Sequence, residues 1–478
     1  MALPGAVTTP GAQAPSAGEA GRPAGGIPAG GENPAPETTT ARRVIALALP
    51  ALGALVAEPL FVMADAAIVG HLGGSALAGL SLAGQVLQSA VYMCVFLAYA
   101  TTAQVARRFG AGAVADAARL GLDGIWLGLG LGVAVMTGGF LLGRPTLRAF
   151  GAEGEVLEAA WAYLSWSLAG VPLMMAALAA TGALRGFQDT KATLYVAATG
   201  AAVNAVLSYV LCFPAGLGIR GSALATVIAQ TGMAVWSGGL VLRVALRHGV
   251  SLAPRLAGVW ASARAGAPLF VRTVSLQGSG LLLVWTATSL GTAALAGQKV
   301  VDSIWSLAAM VVDSLAIATQ ALVGAAIGGA SVEQVRAVTR AVSRLGLAAG
   351  VGLGVLVAAL SPVAPWLFTS DPEVRRLVTF ALVAAGLLMP LAARAYVLDG
   401  ILMGAGDGAY LAAGMAVALG LYAPFAWAVS HWGGQAGDWC LALVWLAYGL
   451  TIMTVRCLAY GRRVRRQLAA GAPAWRLG

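Results

Sequence analysis

From Val44 onward the chain repeats one pattern twelve times, an apolar run of about 20 or more residues followed by a short polar connection. A helix of that length crosses a hydrocarbon core of roughly 30 Å. Only helices and closed barrels satisfy their backbone groups in lipid, and these runs lack the alternation of barrel strands. We therefore predict an all-α polytopic membrane protein whose twelve transmembrane helices cover residues 44–70, 76–104, 120–143, 158–183, 192–213, 220–243, 263–290, 298–326, 342–368, 374–403, 409–430 and 439–460.

Composition supports this fold class and restricts the partners. Hydrophobic residues make up 59% of the chain and charged residues 10%, against roughly 25% charged residues in a soluble domain. The net charge of +10 comes from basic residues in short loops, so it indicates membrane orientation and not nucleic-acid binding. By the positive-inside rule both termini are cytoplasmic. We expect a multi-pass protein of the cell inner or plasma membrane, surrounded by the lipid bilayer.

The two ends of the chain differ from the apolar segments between them. Residues 1–41 are rich in Pro, Gly, Ala and Thr and cannot bury enough surface to offset ordering entropy, so we expect a disordered cytoplasmic tail without the features of a secretory signal. Residues 463–478 are predicted to form a basic cytoplasmic tail. The four cysteines, which show no metal-binding spacing, are interpreted as buried hydrophobes: Cys94, Cys212, Cys440 and Cys457.

An internal repeat divides the apolar region into two halves. Pro50 and Pro268 lie 218 positions apart, and the same offset recurs across several loops. It relates Ala76–Gly79 to Ala294–Gly297, Phe150 to Phe368, Pro172 to Pro390, Gly182 to Gly400, Gly186 to Gly404 and Asp189 to Asp407. We therefore predict two pseudo-symmetric six-helix lobes, residues 42–250 and 251–462, which can rock against each other around a central cavity.

Two carboxylates and a proline stand inside the first apolar run. Glu58 and Asp65 are seven residues apart, which places them within about 20° on one helical face and about 10 Å apart along the axis. An ionised side chain at bilayer depth is costly and is a functional candidate by default, so we expect a proton carrier or cation site here. Pro59 removes a backbone donor and predicts a kink or hinge beside Glu58. At the equivalent positions of the second half the chain has leucines, Leu276 and Leu283, so the fold does not require the two carboxylates.

Other polar residues lie in the fifth span and in the second half. Asn204 and Ser208, four residues apart, form a polar stripe that either supports the site or makes interhelical hydrogen bonds. Asp313, near the middle of its span, is the second-half candidate for a supporting role. Four charged residues of opposite sign suggest structural ion pairs, since an unpaired charge at that depth is costly: Arg272, Asp302, Arg394 and Asp399.

No motif for catalysis or nucleotide binding occurs in the chain, and no metal or organic cofactor is expected. We therefore expect a protein that is not an enzyme. Energy for any transport would come from an ion gradient, with a proton or possibly sodium as the coupling ion.

Two motifs resemble those of the multidrug and toxic compound extrusion (MATE) family, in its DinF-like branch. They are the run Glu58-Pro59-Leu60 with Asp65 to Gly73, and the run Leu184 to Lys191, which has a second-half version from Asp399 to Asp407. The resemblance covers about residues 42 to 460. It implies two lobes that export amphipathic organic cations or similar compounds in exchange for protons or sodium. Separately from the resemblance, we expect a monomer.

The resemblance also implies roles for particular residues. Asp65 matches the family's first-helix aspartate, which is proposed to be protonated during transport, and Asn204 matches a polar partner of it. Many relatives have an aspartate where this chain has Ser208, and Leu276 and Gln277 stand where other branches carry an acidic residue. These departures favour a proton-coupled antiporter that uses Asp65. The alternatives are sodium coupling, a flippase for lipid-linked sugars with a cationic cavity, and a channel.

Overall fold

The protein was analysed as a computed structural model that describes residues 37–470. Within this range the chain forms fourteen α-helices and no strand. Helices α1 to α7 cover Glu37–Gly70, Gly74–Met93, Phe96–Gly110, Val114–Ala149, Gly154–Gly186, Thr190–Cys212 and Ile219–Arg247. Helices α8 to α14 cover Leu256–Ser289, Thr292–Gly328, Val332–Leu360, Pro372–Ala405, Gly408–Trp432, Cys440–Tyr448 and Thr454–Ala470.

These helices make twelve membrane crossings, which confirms the predicted fold class. Within residues 37–470, eleven segments are long and apolar enough to span a membrane, and the last of them, Gly408–Ala470, has 63 residues. It crosses twice, first as α12 and then as α13 with α14, which a π-helical turn at Gly449–Met453 joins. Helices α2 and α3 likewise form a single crossing that is interrupted at Cys94 and Val95.

The 218-residue repeat is visible in the backbone of the two lobes, the N-lobe (α1–α7) and the C-lobe (α8–α14). Gly73 and Gly291 precede equivalent helices with φ of 125° and 113°, a conformation that only glycine adopts readily. Gly182 and Gly400 are also equivalent. A Cβ on either would lie 2.5 Å from a carbonyl oxygen of the neighbouring helix, so both lobes need a glycine for the same close helix contact.

The two lobes meet where α3 and α9 end. A Cβ on Gly110 would collide with the backbone of Ala325, and a Cβ on Gly328 would collide with the backbone of Arg107. Arg107 and Ala325 are themselves repeat equivalents, so the contact is approximately self-complementary. Arg107 Nη1 also donates to the carbonyl oxygen of Ala405, 3.2 Å away, at the end of α11. The lobes are therefore in direct contact at this end, which closes the predicted central cavity, called the chamber below, on this side.

The ends of the helical region differ from the predicted boundaries. Helix α1 begins at Glu37, five residues before the predicted start of the first lobe, and the predicted tail before it lies outside the described residues. Helix α14 extends to Ala470 because Arg463 Nε donates to Asp407 Oδ2 at 2.6 Å and Val464 is buried. The remainder of the predicted basic tail lies outside the described residues. As expected, the four cysteines are buried and unbridged.

Candidate coupling and binding site

Asp65 is buried in the N-lobe, where its side chain contacts residues of α5, α6 and α7, with only 3% of its surface exposed. Its Oδ1 accepts hydrogen bonds from Ser222 Oγ at 2.6 Å and Ser208 Oγ at 3.0 Å. Its Oδ2 lies 3.4 Å from Tyr163 OH, at the long end of hydrogen-bond distances. No Lys or Arg among residues 40–470 forms an ion pair with this carboxylate. Asp65 is therefore solvated by hydroxyl groups alone.

Two polar stripes with the same spacing build this pocket. Asn204 and Ser208 lie four apart on α6, and Ser222 and Thr226 lie four apart on α7, so each pair shares one helical face. The stripes face each other, since Asn204 Nδ2 donates to Thr226 Oγ1 at 3.2 Å. The Oδ1 atom of Asn204 is buried and has no donor. The sequence analysis did not identify Ser222, Thr226 or Tyr163, although the four-residue spacing on α7 was a usable signal.

Glu58 is on the same helix as Asp65 but in a different environment. Its side chain is exposed, and its Oε1 accepts a hydrogen bond of 2.9 Å from Gln88 Nε2 of α2. The two carboxylates are close in angle but about 10 Å apart along α1, and only the level of Asp65 is covered by three neighbouring helices. Pro59 lies within the continuous helix α1, where it leaves the carbonyl of Leu55 without its usual donor.

The C-lobe contains a buried group of three charges. Asp399 Oδ2 accepts hydrogen bonds from Arg272 of α8 and from Arg456 Nη2 of α14, the latter at 2.5 Å. The expected pair between Arg272 and Asp399 is therefore formed. Arg456, only 1% exposed, is a second partner that the sequence analysis did not identify. One carboxylate serves two guanidinium groups, so this group carries a net charge of +1.

The pairs expected at Arg394 and Asp302 are not formed. Arg394 is exposed, and among residues 40–470 it contacts no carboxylate. It precedes Asp399 by five residues, which turns it about 140° around α11 from the buried face. Asp302 is half-buried, and Lys299, one turn earlier on α9, is its electrostatic neighbour without an ion-pair contact. Helix phase thus separates Arg394 from the buried charges, whereas Asp302 shares a face of α9 with Asp313 but lies about 16 Å away along the helix axis.

Asp313 lies on α9, the C-lobe helix that packs against α1 and α3 of the N-lobe. It is half-buried on α9, and within the described part of the chain it makes no hydrogen bond or ion pair. Its strongest charged neighbour is Arg185 of the N-lobe, followed by Arg272 and the other two C-lobe charges. Arg185 likewise makes no direct polar contact among these residues, and its Nε is buried without an acceptor. Asp313 and Arg185 are thus a carboxylate and a guanidinium from different lobes, each without a direct polar partner in this range.

Comparison with known proteins identifies this architecture. Twelve crossings in two related lobes, with separate polar sites in each, define a multi-pass membrane transporter. A MatE family model matches residues 50–210 and again residues 268–428, so both ends of the second match lie 218 positions after those of the first. The chain belongs to the MATE family, and the predicted repeat and its offset are confirmed.

Similar proteins come from plants, bacteria and archaea. The chain is 31% identical over 424 residues to the chloroplastic protein DETOXIFICATION 44 of Arabidopsis thaliana, covering 85% of this chain and 80% of that protein. It is 27% identical over 420 residues to DNA damage-inducible protein F of Escherichia coli, covering 86% and 90%.

Solved structures share the fold at lower identity. The Vibrio cholerae MATE transporter VcmN in its bent form has a TM-score of 0.81 at 22% identity, covering 90% of this chain and 98% of that one. A MOP superfamily transporter from Pyrococcus furiosus, described as having a binding pocket of reversed polarity, has a TM-score of 0.80 at 21% identity and covers 92% and 97%.

Proposed function

We propose that this protein is a secondary active efflux transporter that exchanges amphipathic small molecules for protons by alternating access of its two lobes. The observation that carries the proposal is Asp65, a carboxylate buried at membrane depth with hydroxyl partners and no cation among the described residues. Family membership supports the efflux of multiple or toxic compounds, because relatives include a probable multidrug resistance protein NorM from Thermotoga maritima.

Proton binding at Asp65 would change both charge and hydrogen bonding. An ionised carboxylate without a cation is costly in a membrane interior, and a proton removes that cost. The protonated carboxyl becomes a donor and gives up part of its acceptor capacity, so the hydroxyl groups of Ser208 and Ser222 must reorient. Pro59 lies six residues away in α1, where one backbone hydrogen bond is already missing. Protonation would therefore bias the shape of α1.

The lobe contact supplies the other half of the transport cycle. The chamber is closed where α3 and α9 meet, at an end rich in arginine that would face the cytoplasm by the positive-inside rule. In this state a proton from outside would reach Asp65, α1 would rearrange, and the substrate would leave outward. Reopening inward would release the proton and restore substrate affinity. Both termini would then be cytoplasmic, in the inner or plasma membrane.

The unpaired Asp313 carboxylate supports a cationic group on the substrate. It lies half-buried on α9, which packs against the N-lobe, and has no direct partner in the described part of the chain. Glu58, which is exposed and accepts a hydrogen bond from the neutral Gln88, is a second acidic group without an ion-pair partner among the described residues. Because one chain supplies both walls of the chamber, a monomer is sufficient for this mechanism.

Sodium coupling is the second candidate. The buried Oδ1 of Asn204 has no donor, and together with the hydroxyl oxygens around Asp65 it offers oxygen ligands of the kind that hard cations prefer. Against this, Asp65 is the single carboxylate of the pocket, since Ser208 replaces a second one.

Transport into proteoliposomes under imposed gradients tests the coupling. We expect substrate to accumulate against its gradient when a pH gradient is imposed and not when a sodium gradient is imposed at constant pH. Asp65→Asn should abolish the pH-driven component. An Asp65→Asn protein that still responds fully to the pH gradient would overturn the proposal. Transport driven by sodium alone would establish the second candidate, and dissipation without accumulation would indicate a channel.

A further inference from the structure

An apolar crevice of about 280 Å³ lies where α1 of the N-lobe packs against α9 and α10 of the C-lobe. Its size is close to the roughly 300 Å³ at which small-molecule pockets begin. Its one side-chain hydroxyl, Ser314 Oγ, donates to the carbonyl oxygen of Val311 at 2.7 Å. The lining therefore offers an apolar surface to whatever occupies the crevice.

The crevice is open at the surface of the helix bundle, because Ile45 and Leu49 of its lining are 44% and 66% exposed. On the inner side, α9 is in direct contact with α3 of the N-lobe, where Gln320 Nε2 donates to the carbonyl oxygen of Tyr99 at 2.6 Å. The open side therefore faces the bilayer.

Arginines stand at the mouth of the crevice on two of the helices that form its walls. On α1, Arg42 lies three residues before Ile45 and seven before Leu49, so all three share one helical face. On α10, Arg344 lies four residues before Ala348, which also lines the crevice. Both arginine side chains are exposed. A guanidinium group of each lobe thus lies about one turn beyond the apolar lining.

The surroundings of this mouth are basic. Val44 of α1, Val338 of α10 and Val464 of α14 belong to one buried cluster, so the first turns of α1 and α10 lie beside α14. Helix α10 has a single acidic residue, Glu333. The exposed arginines of α1 and α10 at this end are Arg42, Arg43, Arg336, Arg340 and Arg344. By the positive-inside rule this end lies at the cytoplasmic leaflet.

We propose that the crevice binds one anionic phospholipid of the cytoplasmic leaflet, with an acyl chain against α1, α9 and α10 and the phosphate at Arg42, Arg43 and Arg344. A basic site between membrane helices at the cytoplasmic side suits an anionic headgroup. Guanidinium groups hold a phosphate through paired hydrogen bonds. An amphipathic cation meets like charges at the same mouth, so the transported substrate is a poor occupant.

The bound lipid joins the two lobes, because Arg42 belongs to the N-lobe and Arg344 to the C-lobe. The crevice exists in the arrangement in which the lobes are in contact at the ends of α3 and α9. A ligand that binds one arrangement better than another shifts the population toward it. The lipid therefore favours the state that is closed at the cytoplasmic end.

Native mass spectrometry of the purified full chain tests the headgroup site with dioleoylphosphatidylglycerol and dioleoylphosphatidylcholine, which have the same acyl chains. We expect about tenfold tighter binding of phosphatidylglycerol, since each arginine near an anionic surface contributes about 1 kcal/mol. The double variant Arg42→Gln/Arg43→Gln should lose most of this preference. Arg243→Gln/Arg247→Gln is the matched control, because it removes two exposed arginines from the end of α7, outside the crevice.

A second variant tests the acyl-chain crevice without changing any charge. Ala348→Phe fills part of the crevice from an exposed position, so the protein should fold and bind phosphatidylglycerol about tenfold more weakly. Ala359→Phe is the control, since Ala359 is also exposed on α10 but lies about 16 Å further along the helix. Distances between spin labels on the two lobes, measured in nanodiscs with and without phosphatidylglycerol, report whether the lipid increases the closed population.

These measurements use lipid binding and not transport, so they are independent of the proposed export function. Equal affinity for the two lipids, or an equal loss of preference in the two arginine pairs, would overturn the headgroup site. Unchanged binding of phosphatidylglycerol by Ala348→Phe would overturn the crevice as the place of the acyl chain. Label distances that do not respond to phosphatidylglycerol would overturn the link between the lipid and the closed state.

Discussion

The Asp65 pocket of the N-lobe has a structural equivalent in the C-lobe that contains no charged residue and keeps a single hydroxyl, that of Tyr422, at the positions equivalent to Asp65, Tyr163, Asn204 and Ser208. The 218-residue offset leads from each polar residue of the pocket to a buried member of one hydrophobic cluster. It relates Asp65 to Leu283, Tyr163 to Ala381, Asn204 to Tyr422 and Ser208 to Ala426. The same fold therefore forms with and without this polar network, which separates the requirements of folding from those of transport.

For the last helix of each lobe, the offset between equivalent residues is 219 positions, one more than in the rest of the repeat. Gly218 and Gly437 have nearly the same backbone conformation, with φ of 55° and 56°, and lie 219 positions apart. On that alignment Ser222 corresponds to Leu441, which is also in the apolar cluster. In the opposite direction, Arg272 and Asp399 correspond to Ala54 and Thr181. Each lobe thus carries buried charge where the other carries none, and a duplicated fold contains two different sites.

The largest effect should come from moving the carboxylate into the apolar lobe. Leu283→Asp places an unpaired acidic group in a hydrophobic cluster, where the two serines that bond to Asp65 have apolar equivalents, and we expect a loss of about 3 kcal/mol or more of stability. Thermal unfolding in detergent and the yield of monodisperse protein measure this. Leu283→Met is the control and should retain the wild-type melting temperature. A stable Leu283→Asp protein would show that the two environments are more alike than their residues indicate.

Removing the carboxylate of Asp65 from the N-lobe should have the opposite effect: stability is retained and transport is lost. Asp65→Asn keeps the shape of the side chain and two of its polar contacts, so we expect near-normal thermal stability. pH-driven export should fall to the background of empty liposomes, because an amide does not exchange a proton. Substrate binding and export are measured on the same preparation. A variant that loses stability and transport in parallel would assign Asp65 a structural role and contradict the separation of folding from transport.

The contact between the lobes should respond symmetrically to changes in either lobe. Gly110→Ala and Gly328→Ala both place a methyl group against the backbone of the other lobe, so each should open this end and lower the population of the closed state at least about tenfold, for a cost of about 1.4 kcal/mol. Distances between spin labels on the two lobes report the change. Gly130→Ala is the control, since its Cβ would meet nothing within 4 Å. A response from only one of the two glycines would contradict the pseudo-symmetry of this contact.

A smaller effect is expected from one hydroxyl partner of Asp65. Ser222→Ala removes the shortest hydrogen bond to the carboxylate, and we expect export to fall about tenfold, as for one hydrogen bond to a charged group. Ser237→Ala on the same helix is the control, because that hydroxyl bonds only to the carbonyl of Met233. Equal effects of the two changes would indicate that helix α7 is sensitive to any serine loss and that the contact to Asp65 is not special.

The sequence predicted the architecture more completely than the contacts. Twelve apolar runs and one repeat offset were sufficient for the crossings and the two lobes, because membrane thickness and lipid allow few alternatives. Helix phase also placed Asn204 beside Ser208. It could not show which faces of different helices meet, so Ser222 and Arg456 were not identified. For the same reason Arg394 was grouped with Asp399, although the two lie on different faces of α11.

The smallest effects should come from two turns at which the repeat copies differ. Gln188 and Ala330 have φ of 64° and 52°, whereas their equivalents, Gly406 and Gly112, are glycines with φ of 76° and 75°. A residue with a Cβ is strained in this left-handed region, so Gln188→Gly and Ala330→Gly should each stabilise the protein by about 0.5–1 kcal/mol. Thermal unfolding measures the gain. Ala134→Gly, at an exposed helical position, should instead destabilise by a similar amount. If the melting temperature fell in all three variants, the left-handed turns would not be where the repeat copies store strain.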